Sequence, residues 1–175
     1  VEIVEQLLYR GADPKAADKD GRTSMMQAAE RGHAKTVELL IDAHADKEAR
    51  DKEGATALII AADEGHTDVV DTLIRHGAEI DAKDKLGATA LIWATGQGRN
   101  EVVELLLEQG ADPNVQDVDG VTALEEAVTT KHNDLIGILL KHKADPALKD
   151  SQGRTAADIA RKQGNDEAVR LLTQR

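Results

Sequence analysis

The 175-residue chain has no cysteine and no phenylalanine, and it has one tryptophan and one tyrosine. Without cysteine, disulfides, zinc fingers and thiol catalysis are excluded. With so few aromatic residues, the core must consist of Leu, Ile, Val and Ala, a composition that suits small helices packed closely side by side.

Basic charge and long apolar runs are scarce as well. The net charge of −11 argues against sequence-independent binding to nucleic acid, because such binding depends on Lys and Arg that neutralise phosphates. No apolar run approaches the roughly 20 residues that span a bilayer, and no signal-peptide pattern is present. We therefore expect no nucleic-acid partner, no membrane insertion and a cytoplasmic location.

A regular glycine is the clearest feature of the chain. It returns every 33 residues, at Gly21, Gly54, Gly87, Gly120 and Gly153. An aspartate stands three residues before each of these glycines and a threonine two residues after it. A fixed period of this size indicates a stacked array in which each repeat contacts only its neighbours.

One repeat, residues 51–83, shows the predicted unit. Residues 51–56 form a turn, and residues 57–64 predict a short first helix that Gly65 and His66 end. An amphipathic second helix is predicted by Val69, Val70, Leu73 and Ile74. Gly77 then ends the second helix, and a hairpin-like finger leads into the next repeat. Neither helix is long enough to be stable alone, so stacking must stabilise both.

These residues resemble the ankyrin (ANK) repeat family over essentially the whole chain. The matching strings are G-x-T-A-L at Gly54, Gly87 and Gly120, together with G-A-D-P at Gly11 and Gly110. The resemblance implies an all-α solenoid of helix-turn-helix units joined by hairpin-like fingers. We expect one domain, residues 1–175, that contains a partial repeat (1–17), four complete repeats (18–50, 51–83, 84–116 and 117–149, called the first to fourth) and a C-terminal capping repeat (150–175).

The chain also departs from the family pattern. His44 and Lys143 replace the glycine that ends the second helix in the first and fourth repeats. We expect weak points there, because a left-handed non-glycine residue costs on the order of 1 kcal/mol. Thr122 to Glu125 and Thr155 to Asp158 have the spacing of capping boxes. Residues 1–11 match only a second helix, so we expect either more parent chain before Val1 or a trimmed sequence.

The resemblance implies that first helices and fingers line a concave groove, whereas second helices form the convex back. In the third repeat, helical spacing directs Leu91, Ala94 and Thr95 toward the core and Trp93, Gly96 and Gln97 toward the groove. The predicted groove set is Ile59, Ile60, Asp63, Glu64, Ile92, Trp93, Gln97, Glu126 and Thr130. Tryptophan is favoured at binding hot spots. The alternative is that Trp93 fills space between helices, with Ile60 packed against it.

The fingers carry a second signal, a row of basic residues at or next to their tips: Arg50, Lys52, Lys83 and Lys85. A partner with an acidic segment could dock on them, because complementary charges increase association rate and set register. The alternative is ordinary solvated charge, since Asp51, Glu53 and Asp84 are interleaved with them.

No chemistry of catalysis or metal binding is indicated. The six histidines fall in turns and helix ends, where equivalent positions should lie roughly a helix diameter apart, too far to share one zinc ion. No phosphate, dinucleotide or hydrolase motif occurs. We therefore predict a monomeric, non-enzymatic scaffold without cofactors that binds another protein or peptide. The alternative is a regulatory or targeting module that docks on the catalytic or channel domain of its own larger protein. The unequal repeats favour a natural origin over an engineered one.

Overall fold

The computed structural model describes residues 1–173, which form eleven helices in a stack of helix pairs. Helix α1 (Glu2–Tyr9) precedes the first complete repeat. The later helices come in pairs, one pair in each predicted repeat: α2 (Ser24–Glu30) and α3 (Ala34–Asp42), α4 (Ala57–Glu64) and α5 (Thr67–Arg75), α6 (Ala90–Gly96) and α7 (Asn100–Glu108), α8 (Ala123–Thr129) and α9 (Asn133–Lys141), and α10 (Ala156–Gln163) and α11 (Asp166–Thr173). The predicted all-α solenoid is confirmed.

The helices form two layers. Helices α2, α4, α6, α8 and α10 pack in sequence as one layer, and α3, α5, α7, α9 and α11 form the other. The core lies between them and consists of small and aliphatic side chains, among them Leu58, Val70, Leu91, Val103, Leu124 and Ile136. Since each repeat buries its apolar face against its neighbours, stability depends on the contacts between repeats.

The periodic aspartate and threonine start each first helix. In the third repeat, Asp84 Oδ1 accepts hydrogen bonds from the backbone N–H groups of Leu86 and Ala88, both at 2.9 Å. Thr89 Oγ1 then accepts from the Ile92 N–H at 3.4 Å as the N-cap of α6. Equivalent bonds recur in the other complete repeats, and both predicted capping boxes form. The aspartate shapes the turn, and the threonine satisfies a free N–H group at the helix start.

The periodic glycine is explained by the next finger. Gly54 has φ +80°, and a Cβ atom there would lie 2.9 Å from the backbone nitrogen of Lys85. That nitrogen donates to the Glu53 carbonyl oxygen at 3.0 Å, so the two finger tips are joined by a backbone hydrogen bond. A side chain at residue 54 would therefore separate the fingers.

Three non-glycine residues have left-handed backbone conformations. His44 (φ +61°) and Lys143 (φ +68°) lie where the sequence predicted weak points. Lys131 (φ +64°) is a third case, which the sequence analysis missed because it compared only the glycines that end the second helices.

Candidate functional site

The faces of α6 agree with the helical spacing. Leu91, Ala94 and Thr95 are buried, whereas Trp93 is half-buried and Gln97 is exposed. We call the side of the stack formed by the first helices and the fingers the groove face. It is the surface that the resemblance assigned to partner binding.

Two isoleucines of the predicted groove set are buried. Ile59 is 3% exposed and Ile92 is 7% exposed, so both belong to the core. Helices α4 and α6 are each flanked by a first helix on both sides, and this leaves only a narrow strip of each helix open to solvent. Ile59 is therefore removed from the candidate site. Ile92 remains in it only as a lining residue of a cleft between the third and fourth repeats. Ile60 is half-buried and packs against the core.

Trp93 both packs against the core and borders open space. Its indole Nε1–H donates a 2.8 Å hydrogen bond to Asp84 Oδ2, which fixes the ring against the start of its own finger. The side chain is half-buried and packs on the core, yet it also borders a cleft. The core-filling alternative is therefore correct in part, and contact of Trp93 with a partner stays a prediction.

This cleft, the inter-repeat cleft, has a volume of about 210 Å³ and lies between the third and fourth repeats. Its lining combines apolar, small and acidic residues: Leu86, Ala88, Ile92, Trp93, Gly96, Gln97, Asp117 and Glu126. Leu86 is 56% exposed at the tip of one finger, and Val118 is 66% exposed at the tip of the next. A 2.8 Å hydrogen bond from the Val118 N–H to the Leu86 carbonyl oxygen holds the two tips together.

Sequence reasoning missed Leu86 and Val118. The signal was present in the repeats themselves, because the position of Leu86 is occupied by Asp20, Glu53, Asp119 and Gln152 elsewhere, and that of Val118 by Lys19, Lys52, Lys85 and Ser151. Large apolar residues at otherwise polar tips mark an unusual part of the surface.

Two carboxylates share the acidic wall of the cleft. Among residues 1–173, the Glu126 carboxylate forms no hydrogen bond or ion pair, and Asp117 uses only its Oδ1 atom, which accepts from the N–H groups of Asp119 and Val121. Burial raises the pKa of Glu126, the charge of Asp117 raises it further, and His132 acts in the opposite direction. The wall is therefore acidic and electrostatically unsatisfied.

The other predicted groove residues differ in whether their side chains are already bonded within the stack. Gln97 Nε2 donates to Asp63 Oδ1 at 2.8 Å and so joins the second and third repeats. Thr130 Oγ1 donates to the Glu126 carbonyl oxygen at 2.8 Å, at the end of α8. Glu64 is exposed at the end of α4. These residues make a polar rim in which Gln97 and Glu64 are exposed, and Gln97 is already hydrogen-bonded to Asp63.

Most of the basic finger residues hold the stack together. The Arg50 guanidinium donates to the carbonyl oxygens of Lys83 and, at 3.1 Å, of Gly54. Lys83 Nζ donates to the Gln116 carbonyl oxygen at 2.9 Å, and Lys52 pairs with Asp20 at 3.3 Å. Lys85 is exposed, and its Cγ atom lies next to Gly54. Three of the four predicted docking cations therefore have partners within the stack, a role the sequence analysis did not foresee.

Histidines and an arginine connect the helices of adjacent repeats. His66 Nε2 donates to the Glu30 carbonyl oxygen at 3.0 Å, and His132 Nδ1 approaches the Thr95 carbonyl oxygen at 3.1 Å. Arg99 Nε donates to the Asp63 carbonyl oxygen at 3.0 Å in the same way. Each satisfies a carbonyl near the end of the preceding first helix. In the part of the chain that the structure describes, no three His, Asp or Glu residues are grouped so as to hold a metal ion.

Within residues 1–173, no helix is both long enough and apolar enough to cross a bilayer.

The comparisons with known proteins bear on the whole chain. The family model for ankyrin repeats (3 copies) matches residues 1–84, 43–117 and 91–175. No curated protein matches the chain. The periodic turns, the paired helices and the family match agree, and the chain belongs to the ankyrin-repeat family, whose members are generally protein–protein interaction modules and typically lack enzymatic activity.

Proposed function

We propose that this chain is a non-enzymatic scaffold that binds another protein or peptide through its groove face and finger tips. The observation that carries the proposal is the inter-repeat cleft, with exposed Leu86 and Val118 at its neighbouring tips. Exposed apolar residues beside a tryptophan, with a polar rim, have the composition of a protein-binding hot spot.

The dimensions favour a macromolecular partner. The cleft, at about 210 Å³, is smaller than the ~300–1,000 Å³ of typical small-molecule sites. A standard protein interface of about 800 Å² per partner would cover roughly three or four repeats of such a stack. The cleft therefore serves best as an anchor point within a longer contact surface.

A second candidate is a regulatory or targeting module that docks on another domain of its own polypeptide. Helix α1 supports this alternative, because it has no buried residue and its Ile3 and Leu7, which share one face of the helix, are exposed. A neighbouring domain could cover this apolar face. In that case α1, rather than the inter-repeat cleft, would carry the main contact.

Capture of partners from a cell lysate tests the proposal with three forms of the chain: the wild type, the double variant Ile60→Glu/Leu86→Ser, and the control Gln109→Glu. The control adds one negative charge at the end of the second-layer helix α7. We expect a protein that is retained by the wild type and the control but lost by the double variant. Circular dichroism must show the same helicity for all three, and equal recovery by all three would contradict the assignment to the groove face.

A further inference from the structure

One difference between the third and fourth repeats concerns the turn aspartate and the side chain that lies against it. In the third repeat, the Trp93 indole donates to the turn aspartate Asp84 at 2.8 Å. Thirty-three residues later, the equivalents are Glu126 and Asp117. A donor and an acceptor are thus replaced by two carboxylates of like charge, and while both are ionised neither can donate a hydrogen bond to the other.

Trp93 of the third repeat and the two carboxylates of the fourth repeat border the same cleft. Trp93 forms part of its wall from the third repeat, while Asp117 and Glu126 form the wall from the fourth. Gly96 lies beside Glu126, since a Cβ atom at residue 96 would lie 3.0 Å from Glu126 Oε1. An aromatic ring and two carboxylates therefore surround one small space that a side chain from another molecule could enter.

We propose that the inter-repeat cleft binds an arginine side chain of the partner, an inference that rests on the proposed function above. The guanidinium stacks on the Trp93 indole and donates hydrogen bonds to the carboxylates of Asp117 and Glu126. Leu86 and Val118 contact an apolar residue next to that arginine in the partner.

Arginine fits this combination of groups better than any other side chain. Its planar guanidinium carries five N–H donors and can pair with carboxylates while its face lies on an aromatic ring. It would also relieve the repulsion between the two carboxylates, which water relieves only weakly in a partly buried site. The net charge of −11 adds long-range attraction for a basic partner.

The chain's own cations leave this position open. Lys83 is bound to the Gln116 carbonyl oxygen, and the stem of Lys85 lies toward Gly54 in the preceding repeat. The fourth finger carries Val118 and Asp119 where the first three carry a lysine followed by Asp20, Glu53 or Leu86. The charge at the cleft therefore favours a basic partner segment over the acidic one that the finger lysines suggested.

Selection from a library of random short peptides displayed on phage tests this inference. The wild type, Glu126→Gln and the control Glu104→Gln are used as parallel targets. Both substitutions remove one negative charge and keep the side-chain shape, and Glu104 lies on the exposed side of α7. Enriched peptides are then resynthesised with each arginine replaced by citrulline, which is neutral and nearly the same shape.

We expect arginine-containing peptides to be enriched by the wild type and by Glu104→Gln. Citrulline, or the Glu126→Gln substitution, should each lower affinity about 10-fold, and the two losses should not add, because they break the same contact. Glu126→Gln should fold at least as stably as the wild type, so unfolding would not explain the loss. Enriched peptides that tolerate citrulline, or that bind Glu126→Gln as tightly as the wild type, would overturn the arginine site while leaving a peptide-binding groove. Enrichment of no peptide by any of the three would instead overturn the proposed function itself.

Discussion

The third and fourth repeats have the same backbone arrangement but differ in several side chains. Their turn aspartates, Asp84 and Asp117, accept the same backbone hydrogen bonds, and each repeat's threonine caps the first helix in the same way. Four of the positions that differ in chemistry are Ile92 and Glu125, Trp93 and Glu126, Gly98 and Lys131, and Gly110 and Lys143. At each, the fourth repeat has a residue that is polar, charged or strained.

The comparison shows which residues are needed to form a repeat and which positions can vary within it. The turn aspartate, the cap threonine and the helix pattern are sufficient to form the unit. Of the four residues in the fourth repeat, Glu126 lines the cleft, Glu125 is buried, and Lys131 and Lys143 have left-handed backbones. Natural proteins place such locally unfavourable residues at functional sites, so the fourth repeat is where variants should distinguish stability from function.

The largest expected effect is at the turn of the third repeat. Gly98 has φ +65°, and a Cβ atom there would lie 2.6 Å from Nε2 of His132, whose ring is held by the Thr95 carbonyl oxygen. Gly98→Ala should therefore lower the free energy of unfolding by about 3 kcal/mol, from backbone strain plus the clash. The control Gly164→Ala has a similar φ of +67° and open space around it, and should cost only about 1 kcal/mol. Equal losses in urea unfolding would show that His132 does not restrict this turn.

The second effect depends on pH and concerns Glu125, which is 1% exposed where the third repeat has Ile92. Burial raises the pKa of Glu125 from 4.5 to about 7. The hydrogen bond that its carboxylate accepts from the Thr122 N–H lowers the pKa, but by less. Between these values the folded chain holds the proton more tightly than the unfolded chain does. Stability is therefore lost as the pH rises through this window, and the penalty is complete above about pH 7.

Glu125→Gln keeps an acceptor for the Thr122 N–H and removes the charge. We expect the variant to match the wild type at about pH 5 and to exceed it by about 1–2 kcal/mol at about pH 8. Urea unfolding of both proteins across this range measures the difference, and other titrating groups cancel because both proteins contain them. A difference that stayed constant with pH would contradict the raised pKa.

A smaller effect is expected from the indole hydrogen bond that the fourth repeat lacks. Trp93→Phe keeps an aromatic ring but removes the donor to Asp84, and should cost about 1 kcal/mol. Tyr9→Phe is the matched control, because Tyr9 is 94% exposed and its hydroxyl loss should change nothing measurable. Thermal unfolding followed by circular dichroism compares the two, and an unchanged midpoint for Trp93→Phe would mean that the bond contributes nothing.

The smallest effect concerns the left-handed Lys131. Lys131→Gly relieves backbone strain but increases the entropy of the unfolded chain, so a net gain of only about 0.5 kcal/mol is expected. Lys131→Ala, which keeps the strain, should give no gain. Chemical denaturation of the two variants side by side would reveal the sign, and a loss with glycine would show that this turn is relaxed with lysine.

Much of the fold follows from the sequence because the residues that recur every 33 positions each have a structural role. Asp, Gly and Thr each perform a backbone task in every turn, and the apolar spacing of the second helices determines which face is buried. The left-handed conformations of His44 and Lys143 could be predicted for the same reason, since the position fixes the backbone regardless of the residue.

The candidate site was less predictable. Helical spacing assigned Ile59 and Ile92 to the neighbourhood of the groove, but it does not show how far the adjacent first helices cover each flank. The bonds from Arg50 to Lys83 and from Lys83 to Gln116 join different repeats, so they could not be inferred from one repeat alone. Leu86 and Val118 could have been found by comparing the finger tips across repeats.

Trp93 reports directly on whether the inter-repeat cleft receives an arginine of the partner, because it is the only tryptophan. The measurement is the indole N–H resonance of Trp93 in a ¹H–¹⁵N spectrum, recorded as a selected arginine peptide and its citrulline form are added. If the cleft binds arginine, this resonance shifts saturably with the arginine peptide and little or not at all with the citrulline form at the same concentration. Binding of the arginine peptide that shifts backbone resonances elsewhere while the indole resonance stays in place would contradict arginine binding in the cleft.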